Sequence, residues 1–168
     1  MQIDENEFFR QASRRICGSL DIGKAMMDFI AFAQPYIPIS ELTLAHFVHD
    51  FTLIENLFTI TRSGKMNTIP PIKPPFELNQ FIKKEIRQWE ETGQAVRIEN
   101  YPEQNIIAMA GLHLFETKDP SLMVMHLAMD SYIGGVAVFT EGYGAFTQEQ
   151  AHLFSLLREP FAIAMSNA

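Results

Sequence analysis

Leu122-Met123-Val124-Met125-His126-Leu127-Ala128-Met129-Asp130-Ser131-Tyr132-Ile133-Gly134-Gly135-Val136-Ala137-Val138-Phe139-Thr140 reads as two strands joined by a turn. Apolar runs flank Asp130-Ser131, a pair suited to a short hairpin connection. Side chains alternate along a strand, so Met123, Met125, Leu127 and Met129 share one face and Val124, His126 and Ala128 the other. The first face is wholly apolar and predicts packing beneath helices. The second holds an imidazole, which when buried needs a hydrogen-bond partner from the protein, from water or from a ligand.

After this hairpin, Glu141-Gly142-Tyr143-Gly144-Ala145 reads as a glycine loop, and Thr147 with Gln150 forms a capping box that opens the last helix. Leu153, Leu156, Leu157 and Ala164 give that helix its apolar face. Pro160 removes one backbone donor and predicts a kink. Before the hairpin, the segment from Glu103 to Phe115 is ambiguous, with Ile106, Ile107, Ala110 and Leu114 favouring a helix. Ala95 to Ile98 predicts a short strand. Leu78, Phe81, Ile82, Ile86 and Trp89 mark an amphipathic helix stopped at Thr92-Gly93. Ile69 to Phe76 is a stiff, proline-dense connector.

Further towards the N-terminus, Ser40 to His49 and Leu53 to Ser63 predict a second hairpin around Asp50-Phe51-Thr52. Two helices precede it. The first carries Phe9, Ala12, Ile16 and Leu20 at helical spacing. The second is capped by Asp21 and striped by Ile22, Ala25, Met26, Phe29, Ile30 and Ala33. Helices and antiparallel strands in this order predict an α+β fold. Its central sheet has about five or six strands whose two apolar faces each need a helical cover. The N-terminal and C-terminal helices are expected on one face, and the Leu78–Trp89 helix with its proline lead on the other.

The chain of 168 residues suits one domain. Thirteen basic against twenty acidic residues give a charge of −7, which argues against direct nucleic-acid binding. No run approaches the ~18 apolar residues of a membrane span, and the acidic start lacks the features of a signal peptide. A cytoplasmic protein is the expectation. The single cysteine, Cys17, excludes an internal disulfide and a four-cysteine zinc site, and is expected to be a small buried residue. His46, His49 and Asp50 resemble a metal trio, but positions 46 and 49 of one strand face opposite ways, so no metal site is expected. Neither a phosphate loop nor a serine-elbow motif is present, and no catalytic residue is assigned.

The hairpin, with Ile133-Gly134 after its turn, is followed by Phe146-Thr147-Gln148-Glu149 and a helix closing on Ala162-Ile163-Ala164-Met165-Ser166-Asn167-Ala168. This order resembles the end of a GAF domain, and the leading helices and first hairpin match the start of that fold. Leu156 to Ala164 resembles the GAF input domains of bacterial sigma-54-dependent enhancer-binding activators. The resemblance implies a GAF/PAS-like (profilin-like) domain over 1–168. Helices would occupy 5–37, the core 40–140, and a C-terminal helix over 147–168 would lead on to an output domain.

It further implies a non-catalytic sensor without a resident cofactor, for a small-molecule effector, pairing as a homodimer through its terminal helices. Phe8 beside Phe9, and Phe154 beside Leu153, are expected to supply an apolar patch for pairing. A ligand-free dimerisation or docking module is the alternative. Sulfoxide-reductase GAF domains use several cysteines and bilin-binding ones a differently placed one, and the Asn-Lys-x-Phe-x-Asp-Glu signature of cyclic-nucleotide binders is missing. The expected ligand space lies between the sheet and the covering helix. Phe47, Phe58, Phe81 and Trp89 would wall it, with His113 and His126 orienting a polar or anionic group.

Overall fold

Asp4 and Asp21 start the fold. Each accepts a hydrogen bond from a backbone N–H three residues on, at 3.2 Å, satisfying a donor that the first helical turn leaves open. They open α1 (Glu5–Ile16) and α2 (Ile22–Ala33). The computed structural model describes residues 3–48, 52–105, 112–129 and 133–168. Its strands are β1 (Glu41–Val48), β2 (Leu53–Thr61), β3 (Met66–Asn67), β4 (Val96–Glu99), β5 (Ser121–Ala128) and β6 (Ile133–Thr140). Among the described residues they form one sheet in the order β3-β2-β1-β6-β5-β4, antiparallel throughout. The remaining α-helices among the described residues are α3 (Phe76–Thr92), α4 (Gln148–Ser155) and α5 (Arg158–Ser166).

The sheet has the two expected covers. On one face α1, α2, α4 and α5 pack on Leu42, Leu44, Ile60, Met123, Met125, Leu127, Val136 and Val138, all buried in one core. On the other, α3 and the proline connector face Thr43, Ala45, Val124, His126 and Ala137. The connector is tied down at Ile72, whose N–H and C=O both pair with Ile54 at 2.8 Å. Gly93 ends α3 at φ 70°, a left-handed position that costs glycine nothing.

Several local expectations change. The buried stripe of α1 is Phe8, Ala12 and Ile16; Phe9 is 41% exposed and Leu20 93%. The helix ends at Ile16, so helical periodicity no longer carries Leu20 inward. Phe8 takes the inner place, against Phe32 and Tyr36 at ring-centroid distances of 5.8 and 5.2 Å. The last helix is broken rather than kinked. α4 stops at Ser155, and Pro160 becomes the third residue of α5, where a helical N–H has no partner to lose. Around the span from Glu103 to Phe115, Pro102–Gln104 and Leu112–Leu114 are single 3-10 turns, and the stretch 106–111 on which the helix reading rests lies outside the described residues. Ile106, Ile107 and Ala110, like the turn residues Asp50, Phe51, Asp130 and Ser131, lie outside the described residues. Strand β3, two residues long, is too short to carry a periodic signal.

The capping box forms in full: Thr147 Oγ1 accepts from Gln150 N at 3.2 Å, and Gln150 Oε1 from Thr147 N at 2.9 Å. Thr147→Ala is expected to lower stability by about 1 kcal/mol. Urea denaturation with an unchanged m-value checks this, and a midpoint equal to wild type contradicts it.

Candidate functional site

The face beneath α3 is set by strand alternation and one bulge. Along β1, Leu42 and Leu44 enter the helical core, so Thr43, Ala45 and Phe47 point the other way. On β2 the register slips between Leu44, which pairs with Phe58, and Ala45, which pairs with Asn56. The extra residue reverses the alternation, sending Phe58 and Ile60 into the helical core and Ile54 towards α3. Strand β6 contributes Ala137 and Phe139. Its Gly135 lies under Phe47: a Cβ there would stand 3.1 Å from the Phe47 ring. The preceding Gly134 is crowded from the opposite face, where a Cβ would meet Met165 of α5 at 3.2 Å.

Helix α3 presents Leu78, Ile82, Ile86 and Trp89, a stripe of steps four, four and three. Between this stripe and the sheet lies a cavity of about 600 Å³, within the range of small-ligand pockets. Its far end is closed by the segment around Phe115, whose ring lies 4.2 Å from that of Phe139. That segment is anchored by Glu41, 1% exposed, whose carboxylate accepts from Glu116 N (3.1 Å), Thr117 N (3.2 Å) and Thr117 Oγ1 (2.8 Å).

His126 is central. Its ring lies 4.3 Å from Trp89 and 5.9 Å from Phe47, centroid to centroid. Among the described residues no hydrogen bond reaches the imidazole; its backbone carbonyl accepts from Arg158 Nε of α5 at 3.2 Å. Burial first, then the Arg158 and Arg97 charges, pull its pKa down to about 4. The ring is therefore neutral at pH 7, with one nitrogen a donor and the other an acceptor. Trp89 Nε1 is buried and has no hydrogen-bond partner among the described residues.

A charged cluster forms part of the wall. Arg97 pairs with Glu85 (Nη2–Oε1 2.6 Å) and Glu99 (Nε–Oε1 2.5 Å), and Asn105 Nδ2 donates to both carboxylates at 3.0 and 3.1 Å. Burial disfavours the guanidinium charge, but the two carboxylates outweigh it and raise the Arg97 pKa. Reading the sequence missed this group. The available signal was the alternation Val96-Arg97-Ile98-Glu99: with Val96 and Ile98 against the helical core, Arg97 and Glu99 must face α3.

Of the aromatic and histidine residues read as walls, the structure brings Phe47, Trp89 and His126 together at the cavity. Phe58 lies in the opposite core because of the bulge. Phe81, one position from Ile82, points outward at 48% exposure. The side chain of His113 lies outside the described residues. Cys17 is an exposed residue rather than a buried one, because it caps the end of α1; its thiol donates to the Pro160 carbonyl at 3.4 Å, and partial desolvation of the sulfur raises its pKa. Phe8 and Phe154 do not form a surface patch. Phe154 packs edge-on against Phe161 at 5.9 Å, and of these aromatics only Phe9 is exposed. His46 sits on β1 between Ala45 and Phe47, while His49 and Asp50 lie outside the described residues.

No protein-family model and no curated protein sequence matches the chain. Solved structures do resemble it. The GAF domain of a phosphoenolpyruvate-protein phosphotransferase (ptsP) from Coxiella burnetii superimposes with a TM-score of 0.66 at 9% identity, over 96% of this chain and 92% of that one. The phycocyanobilin-bound GAF domain of a cyanobacterial phytochrome gives 0.63 at 10% identity, over 99% and 96%. The free methionine-R-sulfoxide reductase of Neisseria meningitidis, in complex with its substrate, gives 0.55 at 13% identity, over 99% and 93%. No helix among the described residues is long and apolar enough to cross a membrane. With six antiparallel strands between a four-helix layer and α3, and with neighbours matched over nearly their whole length, the chain has the GAF fold.

Proposed function

We propose that this chain is a non-catalytic sensor domain that takes a small molecule between the sheet and α3 and passes the change to an output domain. The observation that carries the reading is the cavity of about 600 Å³ around a neutral His126, whose imidazole has no hydrogen bond among the described residues. A ligand group that accepts or donates one hydrogen bond would satisfy it. The phytochrome GAF domain, which holds phycocyanobilin on the same fold, supports binding. The sulfoxide reductase shows that the fold also hosts catalysis, but among the described residues no serine or cysteine lines this cavity, and Cys17 belongs to the helical layer of the opposite face.

The path outward runs through α5. Arg158 holds the carbonyl of His126, and Met165 lies against Gly134. A ligand that moves His126 therefore moves the strand to which the last helix is bonded. The output we infer is that of a cytoplasmic bacterial sigma-54-dependent transcriptional regulator, on the resemblance of Leu156 to Ala164. The reading includes a homodimer through the terminal helices, where Phe9 and Ile163 are exposed.

A thermal-shift screen with metabolites tests binding. At a ligand concentration of 100 Kd the native state gains about 2.7 kcal/mol. Ala137→Trp, which places an indole on the cavity floor, should keep the far-UV circular dichroism of wild type and lose the shift. If no compound stabilises the wild type, the ligand-free module takes the place of this reading.

A further inference from the structure

Among the described residues, the titratable side chains lining the cavity are Glu85, Arg97, Glu99 and His126. Burial and two neighbouring guanidinium groups keep His126 uncharged at neutral pH. Arg97 contributes one positive charge, and the two carboxylates paired to it contribute two negative ones. Among the described lining residues the formal charges sum to −1, and the charge of Arg158, outside that lining, acts on the His126 side. An anionic group reaching Arg97 would meet two carboxylates already in place. Of the polar or anionic group expected against the imidazoles, this wall disfavours the anionic one.

The same wall suits a cation. Glu85 and Trp89 are one turn apart on the inner face of α3, so a carboxylate and an indole both face the cavity from one side. A carboxylate attracts an ammonium by charge, and the face of an indole attracts it by its quadrupole. Apart from Thr43 and Asn105, the remaining described wall is apolar and aromatic, with Phe47, Phe115 and Phe139 among its rings. Resting on the reading that this cavity binds a small molecule, we infer that its ligand is an apolar amine. Its aromatic or aliphatic body lies over the sheet, and its protonated nitrogen is directed to Glu85 and Glu99 beside Trp89.

Isothermal titration calorimetry of the 168-residue chain with phenylbutylamine, phenylbutanol and phenylbutyrate tests this, because the three probes share a body and differ in charge. The amine is expected to bind at least roughly tenfold more tightly than the carboxylate, with the alcohol between them. Replacing both Glu85→Gln and Glu99→Gln should narrow that gap. Where the double variant fails to fold, Glu85→Gln alone must narrow it. Phenylbutyrate binding as tightly as the amine, with Ala137→Trp abolishing both signals, overturns the charge assignment and leaves the binding site standing. No binding by any of the three, or binding that Ala137→Trp leaves unchanged, overturns the inference together with the site.

Discussion

Glu41→Ala is expected to destabilise the protein by roughly 3 kcal/mol, since removing an acceptor strands buried donors at about 1–3 kcal/mol each. The carboxylate is 1% exposed and accepts from two backbone N–H groups and one hydroxyl. Without it, the N–H groups of Glu116 and Thr117 lose their acceptor, and the segment carrying Phe115 is released from the far end of the cavity. Lys65, paired with Glu116, holds that segment only from the exposed side, where an ion pair is worth little. Chemical denaturation gives the stability change, and amide exchange at residues 116 and 117 gives the local one. A variant within about 0.5 kcal/mol of wild type would show that water replaces the carboxylate without loss.

Acidification provides the second large effect. The pKa of His126 is about 4 in the folded protein, against an ordinary value of 6.5. Between those values the unfolded chain binds a proton that the native chain does not, so native stability falls as pH drops from 6.5 to about 4. The loss attached to this one residue amounts to about 3 kcal/mol, as a shift of one unit is worth ~1.4 kcal/mol. His46 bends the curve in the same direction, because burial lowers its pKa against the opposing charge of Glu55. Comparing wild type with His126→Gln between pH 4 and 7 isolates the effect. Parallel stability curves for the two proteins would mean that the His126 ring titrates in the folded protein as it does in the unfolded chain.

Reading the sequence recovered the features that depend on local rules. The stripe of α2, the Thr147–Gln150 box, the stop at Gly93 and the two main hairpins are set by neighbours within a few residues. It lost the features that depend on a single residue's offset or on distant partners. One extra residue in β2 moved Phe58 to the opposite face, and nothing in the run Leu53 to Ser63 marks where that residue is inserted. Pro160 was legible as a disruption, but whether it kinks a helix or starts one depends on where α4 stops. The site was half legible. Trp89 and His126 follow from periodicity alone, whereas Glu85 meets Arg97 only after α3 has docked over β4.

Gly134 and Gly135 make the sheet locally bare. For two consecutive residues β6 carries no side chain on either face, and Phe47 and Met165 close on the strand from opposite sides. The partition between the ligand chamber and the last helix is here a single thickness of peptide, acting as a diaphragm. A methyl group on either glycine would stiffen this wall and push its neighbour by a few tenths of an ångström. At these two residues only backbone separates the Phe47 ring on one side from Met165 on the other.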